Sequence, residues 1–125
     1  MELSNLGTPE LAYLGDSVFE LWVRTRLVQH GVCGSGNLNA MARGYVTASA
    51  QAEAAKKILH LLTEKEESVL KRARNYKVGN VPKSASAAQY HLATGLEALL
   101  AYLYLEGEQD RIYFLLENAF GNTEL

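Results

Sequence analysis

Two carboxylates of this chain stand in stretches that are otherwise almost wholly apolar. Asp16 lies in the segment LAYLGDSVFELWVR, whose apolar residues have the spacing of a helix that is hydrophobic most of the way round. Glu97 is, apart from two tyrosines, the only ionisable group between Leu92 and Leu105. We therefore expect both acids to be buried. Because burying an unpaired carboxylate costs free energy, each needs a cation, a hydrogen-bond network or a proton.

A glycine accompanies each of these acids inside its predicted helix. Gly15 directly precedes Asp16, and Gly95 lies two residues before Glu97. A glycine within a helix costs roughly 1 kcal/mol relative to alanine, so its presence indicates a compensating need. Close approach of two helices is the simplest such need. If the two helices cross at these glycines, the two carboxylates converge.

Two converging carboxylates with few cations nearby are typical of a magnesium or manganese site. These hard ions take oxygen ligands and fill their remaining positions with water and substrate phosphate. The chemistry that such a site supports is metal-assisted cleavage of a phosphodiester. A buried carboxylate is more often paired with an arginine or lysine, or caps a neighbouring helix, and the residues alone leave that alternative open.

The elements that position these acids are predicted to be helices throughout, because apolar residues recur at helical spacing and no β-branched run alternates with a period of two. The first helix is predicted to begin with Thr8 as N-cap, to have Pro9 in its first turn and to end near Gly31. Thr63 and Glu66 have the spacing of a capping box that begins the fourth helix. The other predicted helices cover Asn37 to about Val46, Thr47 or Ser49 to Leu62, Ala87 to Gly107, and Gln109 to Phe120, with loops at 31–37 and 76–86.

Composition predicts one ordinary globular domain over residues 1–125, with 48% hydrophobic and 21% charged residues. The single Cys33 has no partner for a disulfide or a CxxC zinc site. No apolar run is long enough to cross a membrane, and no signal-peptide pattern is present. The chain is therefore expected to be cytoplasmic, without membrane association.

Positive charge is concentrated in one segment, although the chain has a formal net charge of −2 and a pI near 5.9. Residues 71–83, KRARNYKVGNVPK, carry five basic side chains and no acid, whereas acids crowd residues 64–67 and 106–110. Such a segment can bind phosphates. It is also typical of a solvated helix end followed by a hinge, and taken alone the pattern favours that second interpretation.

The segments around the two acids resemble the two motifs of the ribonuclease III family. LAYLGDSVFELWVR is similar to the family's signature, which contains Leu-Gly-Asp, and TGLEALLAYLYLEG is similar to its second motif. Ala12 and Thr94 depart from the pattern, since the larger enzymes carry a glutamate and an aspartate there. This reduced acid pair, the short chain and the stretch RARNYKVGNVPK, with no double-stranded-RNA-binding domain, resemble the mini-ribonuclease III branch over nearly the whole length.

The resemblance implies an all-α homodimer with the ribonuclease III endonuclease fold. It implies cleavage of double-stranded RNA with Mg²⁺, or Mn²⁺ as a substitute, and action in bacteria on the ends of the 23S ribosomal RNA precursor. Asp16 and Glu97 match the motif acids and are expected to be metal ligands and catalytic residues. With fewer ligands than the larger enzymes, we expect one ion to be held firmly and any second ion to be held chiefly by water and RNA phosphate.

Two other functions compete with this one. A degenerate member of the fold could bind structured RNA without cleaving it, since loss of acids is how such a change begins. A helical interaction module could bind no RNA at all, and the acidic pI favours that alternative.

The resemblance leaves the catalytic domain to hold the duplex itself, because no RNA-binding domain is appended. A-form RNA is recognised largely by shape, through phosphates and 2′-hydroxyls, so charged and amide side chains suffice. We therefore expect Arg74, Asn75, Lys77 and Lys83 to contact RNA phosphates.

The first helix is apolar on more faces than one small domain can cover. Part of it is therefore expected to pack against a second copy of the chain, with Phe19, Trp22 and Val23 at the interface. Cleavage of both strands of a duplex would also need two symmetry-related sites.

Overall fold

In the computed structural model, residues 5–77 and 86–121 are described, and within these ranges the chain is helical with no strand. Lys83 and most of the predicted 76–86 loop lie outside them. None of the helices in these two ranges is both long and apolar enough to cross a membrane. The described elements are α1 (Thr8–Gln29), α2 (Ser35–Val46), α3 (Ala48–Ile58) with a 3-10 turn (Leu59–Leu61), α4 (Glu64–Arg74), α5 (Ala87–Leu105) and α6 (Gln109–Phe120).

Local sequence accounts for both ends of α1. Pro9 lies in the first turn, where its missing N–H costs nothing, and Gly31 follows the last turn with a φ of +81°. The N-cap is Gly7 rather than the predicted Thr8. The reason is that the first helical hydrogen bond runs from the Leu11 N–H to the Gly7 carbonyl oxygen, at 3.1 Å, so Thr8 already lies inside the helix.

Helix α2 begins two residues before the predicted Asn37. Gly34 has a φ of +88° and turns the chain, so that the helix starts at Ser35. Asn37 lies in the first turn, where its side-chain amide donates a hydrogen bond to the Cys33 carbonyl oxygen at 3.0 Å. Asparagine is typical of N-caps, but here the glycine supplies the turn.

The predicted capping box at the start of α4 is confirmed. The Thr63 hydroxyl accepts from the Glu66 N–H at 3.1 Å, and the Thr63 N–H donates to the Glu66 Oε1 at 2.9 Å. Arg111 of α6 donates two further hydrogen bonds to the Glu66 carboxylate, at 2.8 and 2.9 Å, and holds the pKa of Glu66 below its usual range. This ion pair anchors the start of α4, the helix that carries the first residues of the basic segment, to α6.

Helix α5 runs through the centre of the fold, with α1, α3 and α4 packed around it. A second capping box, formed by Ser86 and Gln89, begins this helix. Its Leu96, Leu99 and Leu100 are fully buried. α5 is therefore the element against which the other helices position the site.

Gly95 allows α4, not α1, to approach α5. A β-carbon on Gly95 would lie 2.8 Å from the Leu70 carbonyl oxygen of α4. The prediction that Gly95 takes part in the crossing with α1 is therefore wrong. Residues two apart on a helix point in nearly opposite directions, so Gly95 faces α4 while Glu97 faces α1.

An aromatic cluster covers the side of α1 that was predicted to face a second copy. The rings of Phe19, Trp22, Tyr45 and Phe120 have centroids 5.2 to 6.5 Å apart. Phe19, Trp22 and Val23 are only 0, 4 and 1% exposed. The prediction that these three residues lie at an interface between copies is thus wrong, because α2 and α6 of the same chain bury them.

A different side of α1 remains uncovered. Tyr13, Leu21 and Val28 are 84, 68 and 63% exposed, and we call these three residues the outer face of α1. Exposed apolar side chains on one side of a helix can form part of a protein–protein contact.

Candidate active site

The crossing of α1 and α5 is made at Gly15. A β-carbon built on Gly15 would lie 1.7 Å from the carbonyl oxygen of Glu97 and 2.9 Å from its α-carbon, far inside any real contact. Only a glycine allows the two backbones this close. The close approach expected of Gly15 is therefore present, and it sets the next residue, Asp16, beside Glu97.

Asp16 and Glu97 interact across this crossing. They line the same open cleft of about 450 Å³. Burial raises the pKa of Glu97 to about 8, and the charge of Asp16 and a hydrogen bond to it add to the rise. At neutral pH and without a cation, the Glu97 carboxyl therefore keeps its proton.

The two acids differ in exposure. Glu97 is partly buried, whereas Asp16 is exposed, so the prediction that both are buried is wrong for Asp16. The apolar residues near Asp16 in sequence do not surround it. Phe19 and Val23 turn into the core, and the start of α1 borders the open cleft.

Neither acid is neutralised by a basic side chain of the described residues. The ion pairs there involve five other acids, Glu20, Glu53, Glu66, Glu67 and Glu117. The Asp16–Glu97 pair therefore brings carboxyl oxygens together without a basic partner among the described residues.

Such a pair fits a hard divalent cation. Within residues 5–77 and 86–121, no third histidine, cysteine, aspartate or glutamate joins the two acids in a larger cluster. Mg²⁺ commonly uses one or two protein carboxylates and completes its shell with water and substrate phosphate, so two ligands are enough.

Ala12 and Thr94, the two positions that depart from the family pattern, also line the cleft. Acids at these positions would stand around the same space as Asp16 and Glu97. The Thr94 hydroxyl instead donates a hydrogen bond to the Tyr90 carbonyl oxygen at 3.0 Å. Of these four positions around the cleft, two therefore carry acids in this chain.

Sequence analysis did not predict that three tyrosines line the cleft: Tyr13, Tyr76 and Tyr90. A signal existed for Tyr90, which precedes Thr94 by four residues and Glu97 by seven and so shares their side of α5. Tyr76 follows the end of α4, and only the folded chain brings it to the cleft.

The predicted RNA-binding residues flank Tyr76. The Arg74 Nε donates to the Asn75 Oδ1 at 3.3 Å, and Asn75 and Lys77 are exposed. None of the three lines the cleft itself, although Tyr76 between them does. Lys83 lies outside the described residues.

Comparison with known proteins decides the family. The ribonuclease III domain model matches residues 9–108. Mini-ribonuclease 3 of Symbiobacterium thermophilum is 44% identical over 109 residues, covering 87% of this chain and 84% of the relative. Mini-ribonuclease 3 of Brevibacillus brevis is 40% identical over 121 residues, covering 96% and 90%. The chain belongs to the ribonuclease III family.

The resemblance to the mini-ribonuclease III branch is thereby confirmed, and the chain is an endoribonuclease of the ribonuclease III type. A crystal structure of a protein from Fusobacterium nucleatum superposes with a TM-score of 0.84 and 31% identity, covering 92% of this chain and 93% of that one. The predicted ribonuclease III fold is confirmed with it.

Proposed function

We propose that this ribonuclease is magnesium-dependent and cleaves double-stranded RNA at the Asp16–Glu97 pair. One observation carries the proposal: the two carboxylates converge beside the Gly15 crossing without a basic partner among the described residues. Mn²⁺ is expected to replace Mg²⁺, since both ions prefer oxygen ligands.

In the reaction, Asp16 and Glu97 are the residues that would hold the ion, as its ligands and as the catalytic residues. Once bound, a divalent ion offers positive charge to the phosphate oxygens and lowers the pKa of a water molecule. Glu97 would have to lose its proton to hold the ion, because a carboxylate must be ionised to be a ligand. Asp16, being exposed, lies on the side of the cleft that is open to substrate.

RNA phosphates are proposed to contact Arg74, Asn75, Lys77 and Lys83. Tyr76 lines the acid cleft, so the segment that carries the first three residues leaves α4 at the edge of that cleft. Basic side chains there release counterions from the RNA backbone, which gives affinity without sequence preference. Contacts of this kind suit A-form RNA, which is recognised by its shape.

The narrower substrate, the ends of the bacterial 23S ribosomal RNA precursor, is proposed from the resemblance to the mini-ribonuclease III branch. A cytoplasmic location goes with that substrate. We also propose that residues 1–125 act as one catalytic domain, because the buried apolar residues of α1 to α6 form one continuous core.

We propose that two copies pack through the outer face of α1. Tyr13, Leu21 and Val28 are more than half exposed, and a two-fold interface would bury the same residues of both chains. Tyr13 also lines the acid cleft, so the interface would adjoin the site of each copy. Two such sites in one dimer would be available for the two strands of a duplex.

A second candidate function is binding of structured RNA without cleavage. Ala12 and Thr94 favour it, because two positions of the cleft lack the acids that the larger enzymes carry. Both functions share the RNA surface, so RNA binding alone does not separate them.

The deciding experiment incubates the purified protein with long duplex RNA in Mg²⁺, in Mn²⁺ and in chelator. The proposal predicts cleavage with either ion and none with chelator. Salt-sensitive binding without cleavage in any condition would favour the second candidate. Absence of duplex binding would contradict both and favour a protein-interaction module.

A further inference from the structure

A second concave site lies between the start of α1 and one side of α4. It has a volume of about 140 Å³ and is lined in part by Thr8, Lys65, Ser68, Arg72 and Tyr102. The three α4 residues are spaced i, i+3 and i+7, so they share one side of the helix. We call this cavity the α4 pocket. Its volume is well below the roughly 300 to 1,000 Å³ of ordinary small-molecule sites, so it suits a small polar group.

The α4 pocket carries two basic side chains without an ion-pair partner among the described residues. Neither Lys65 nor Arg72 forms an ion pair within residues 5–77 and 86–121. Lys71, the neighbour of Arg72, is different, because it pairs with Glu67 on another side of the same helix. An anion in the α4 pocket could therefore bind Lys65 and Arg72 without breaking an existing ion pair.

Two features of the pocket wall support an anion site. The Lys65 Nζ lies 5.8 Å from the ring centre of Tyr102, a contact that favours an ammonium group above the ring. Thr8 and Ser68 add hydroxyl groups to the lining. Glu66, Glu106 and Glu108 line a neighbouring cavity together with Lys65 and Tyr102, so negative charge bounds the basic surface on that side.

The α4 pocket adjoins the acid cleft. Thr8 lines both cavities. Along α4, Arg72 and Ala73 line the pocket, and Tyr76, directly after the helix, lines the cleft. A chain of phosphates crossing the end of α4 could therefore occupy both places at once.

We propose that the α4 pocket binds a backbone phosphate of the RNA whose cleavage takes place at the acid pair. This inference rests on the function proposed above and extends the RNA surface beyond the 74–83 segment. Arg72 and Lys65 are positioning residues in this scheme: they hold the duplex in register and do not touch the reacting phosphate.

The test compares Arg72→Gln and Lys65→Gln with Lys71→Gln, which removes the same charge from the same helix on another side. Affinity for duplex RNA is measured over a range of salt concentrations, and cleavage is measured in Mg²⁺. Arg72→Gln and Lys65→Gln are expected to weaken binding by about threefold to tenfold and to reduce the slope of log K against log salt by about one. KM should rise with kcat nearly unchanged. Lys71→Gln should match the parent, and Arg72→Lys should restore the slope.

Several results would overturn the inference. Equal slopes and KM values for Arg72→Gln, Lys65→Gln and Lys71→Gln, in a parent protein that cleaves duplex RNA, would reject the α4 pocket and leave the proposed function standing. Binding of inorganic phosphate that Arg72→Gln abolishes, without any change in RNA affinity, would assign the pocket to a free anion instead. A parent protein that fails to cleave would reject the proposed function itself.

Discussion

The carbonyl oxygen of Glu97 occupies the space that a side chain on Gly15 would need. The distance from that oxygen to a β-carbon at residue 15 would be 1.7 Å. This close contact therefore determines both the packing of α1 on α5 and the position of Asp16 next to Glu97.

Gly15→Ala is expected to destabilise the protein and to impair cleavage together. The new methyl group meets backbone rather than a movable side chain, so the helices must separate, at a cost of about 1–3 kcal/mol or more in the free energy of unfolding. Urea unfolding and duplex cleavage measure the two effects. Gly44→Ala in α2, where an added β-carbon meets nothing within 4 Å, is the control and should gain about 0.5–1 kcal/mol. Equal stability of the two variants would contradict the crossing.

Local signals in the sequence predicted the helices well, and failures came where distant parts of the chain decide the outcome. The Thr63–Glu66 capping box needs only residues three apart, and it is present as predicted. The side of α1 that carries Phe19 and Trp22 could not be placed, because Phe120 of α6, a hundred positions away, covers it. The start of α2 was predicted two residues too late for a different reason. Gly34 turns the chain before Asn37, although asparagine is the residue type favoured at N-caps.

The acid pair could be predicted from its motifs, whereas its surroundings could not. Apolar neighbours suggested that Asp16 is buried, but neighbours along a helix do not cover a side chain that points into a cleft between helices. Tyr76 reaches the cleft only through the packing of α4 on α5. Gly95 shows the same limit: the sequence indicated a close approach, and only the fold revealed that the partner is Leu70.

The raised pKa of Glu97 predicts a pH-dependent stability in the absence of metal. The folded protein binds this proton with a pKa of about 8, against an ordinary value of 4.5, and burial is the main cause. The contribution of Glu97 to the free energy of unfolding is therefore largest below about pH 4.5 and decreases as the pH rises towards 8. Glu97→Gln should melt at a higher temperature than the parent at alkaline pH, and the difference should vanish at acidic pH.

The melting temperatures of Glu97→Gln and the parent are measured by thermal unfolding in chelator across this pH range. Glu20→Gln, which alters a half-exposed acid whose Oε2 lies 4.0 Å from the Arg24 Nη2, serves as the control and should show no such trend. A stability difference between Glu97→Gln and the parent that is the same at every pH would contradict the raised pKa.

Leu21→Glu is expected to dissociate the proposed dimer without unfolding the chain. Leu21 is 68% exposed on the outer face of α1, so a charge there costs the single chain little but would be buried between two copies. Sedimentation velocity over a range of concentrations reports the mass. Tyr113→Glu on α6, at a residue 45% exposed, should leave the mass unchanged. A parent protein that sediments as a monomer, or a Leu21→Glu dimer as stable as the parent dimer, would refute this interface.

The most direct test of the acid pair is the rate of duplex RNA cleavage at saturating Mg²⁺ by Asp16→Asn, Glu97→Gln and Glu20→Gln. The first two remove a charged oxygen from the pair with little change of shape, and Glu20→Gln removes the same charge one helical turn after Asp16. We predict that Asp16→Asn and Glu97→Gln fall below detectable cleavage while they still fold and bind duplex RNA, and that Glu20→Gln cleaves like the parent. Cleavage at the parental rate by either Asp16→Asn or Glu97→Gln would contradict the assignment of this pair as the catalytic metal site.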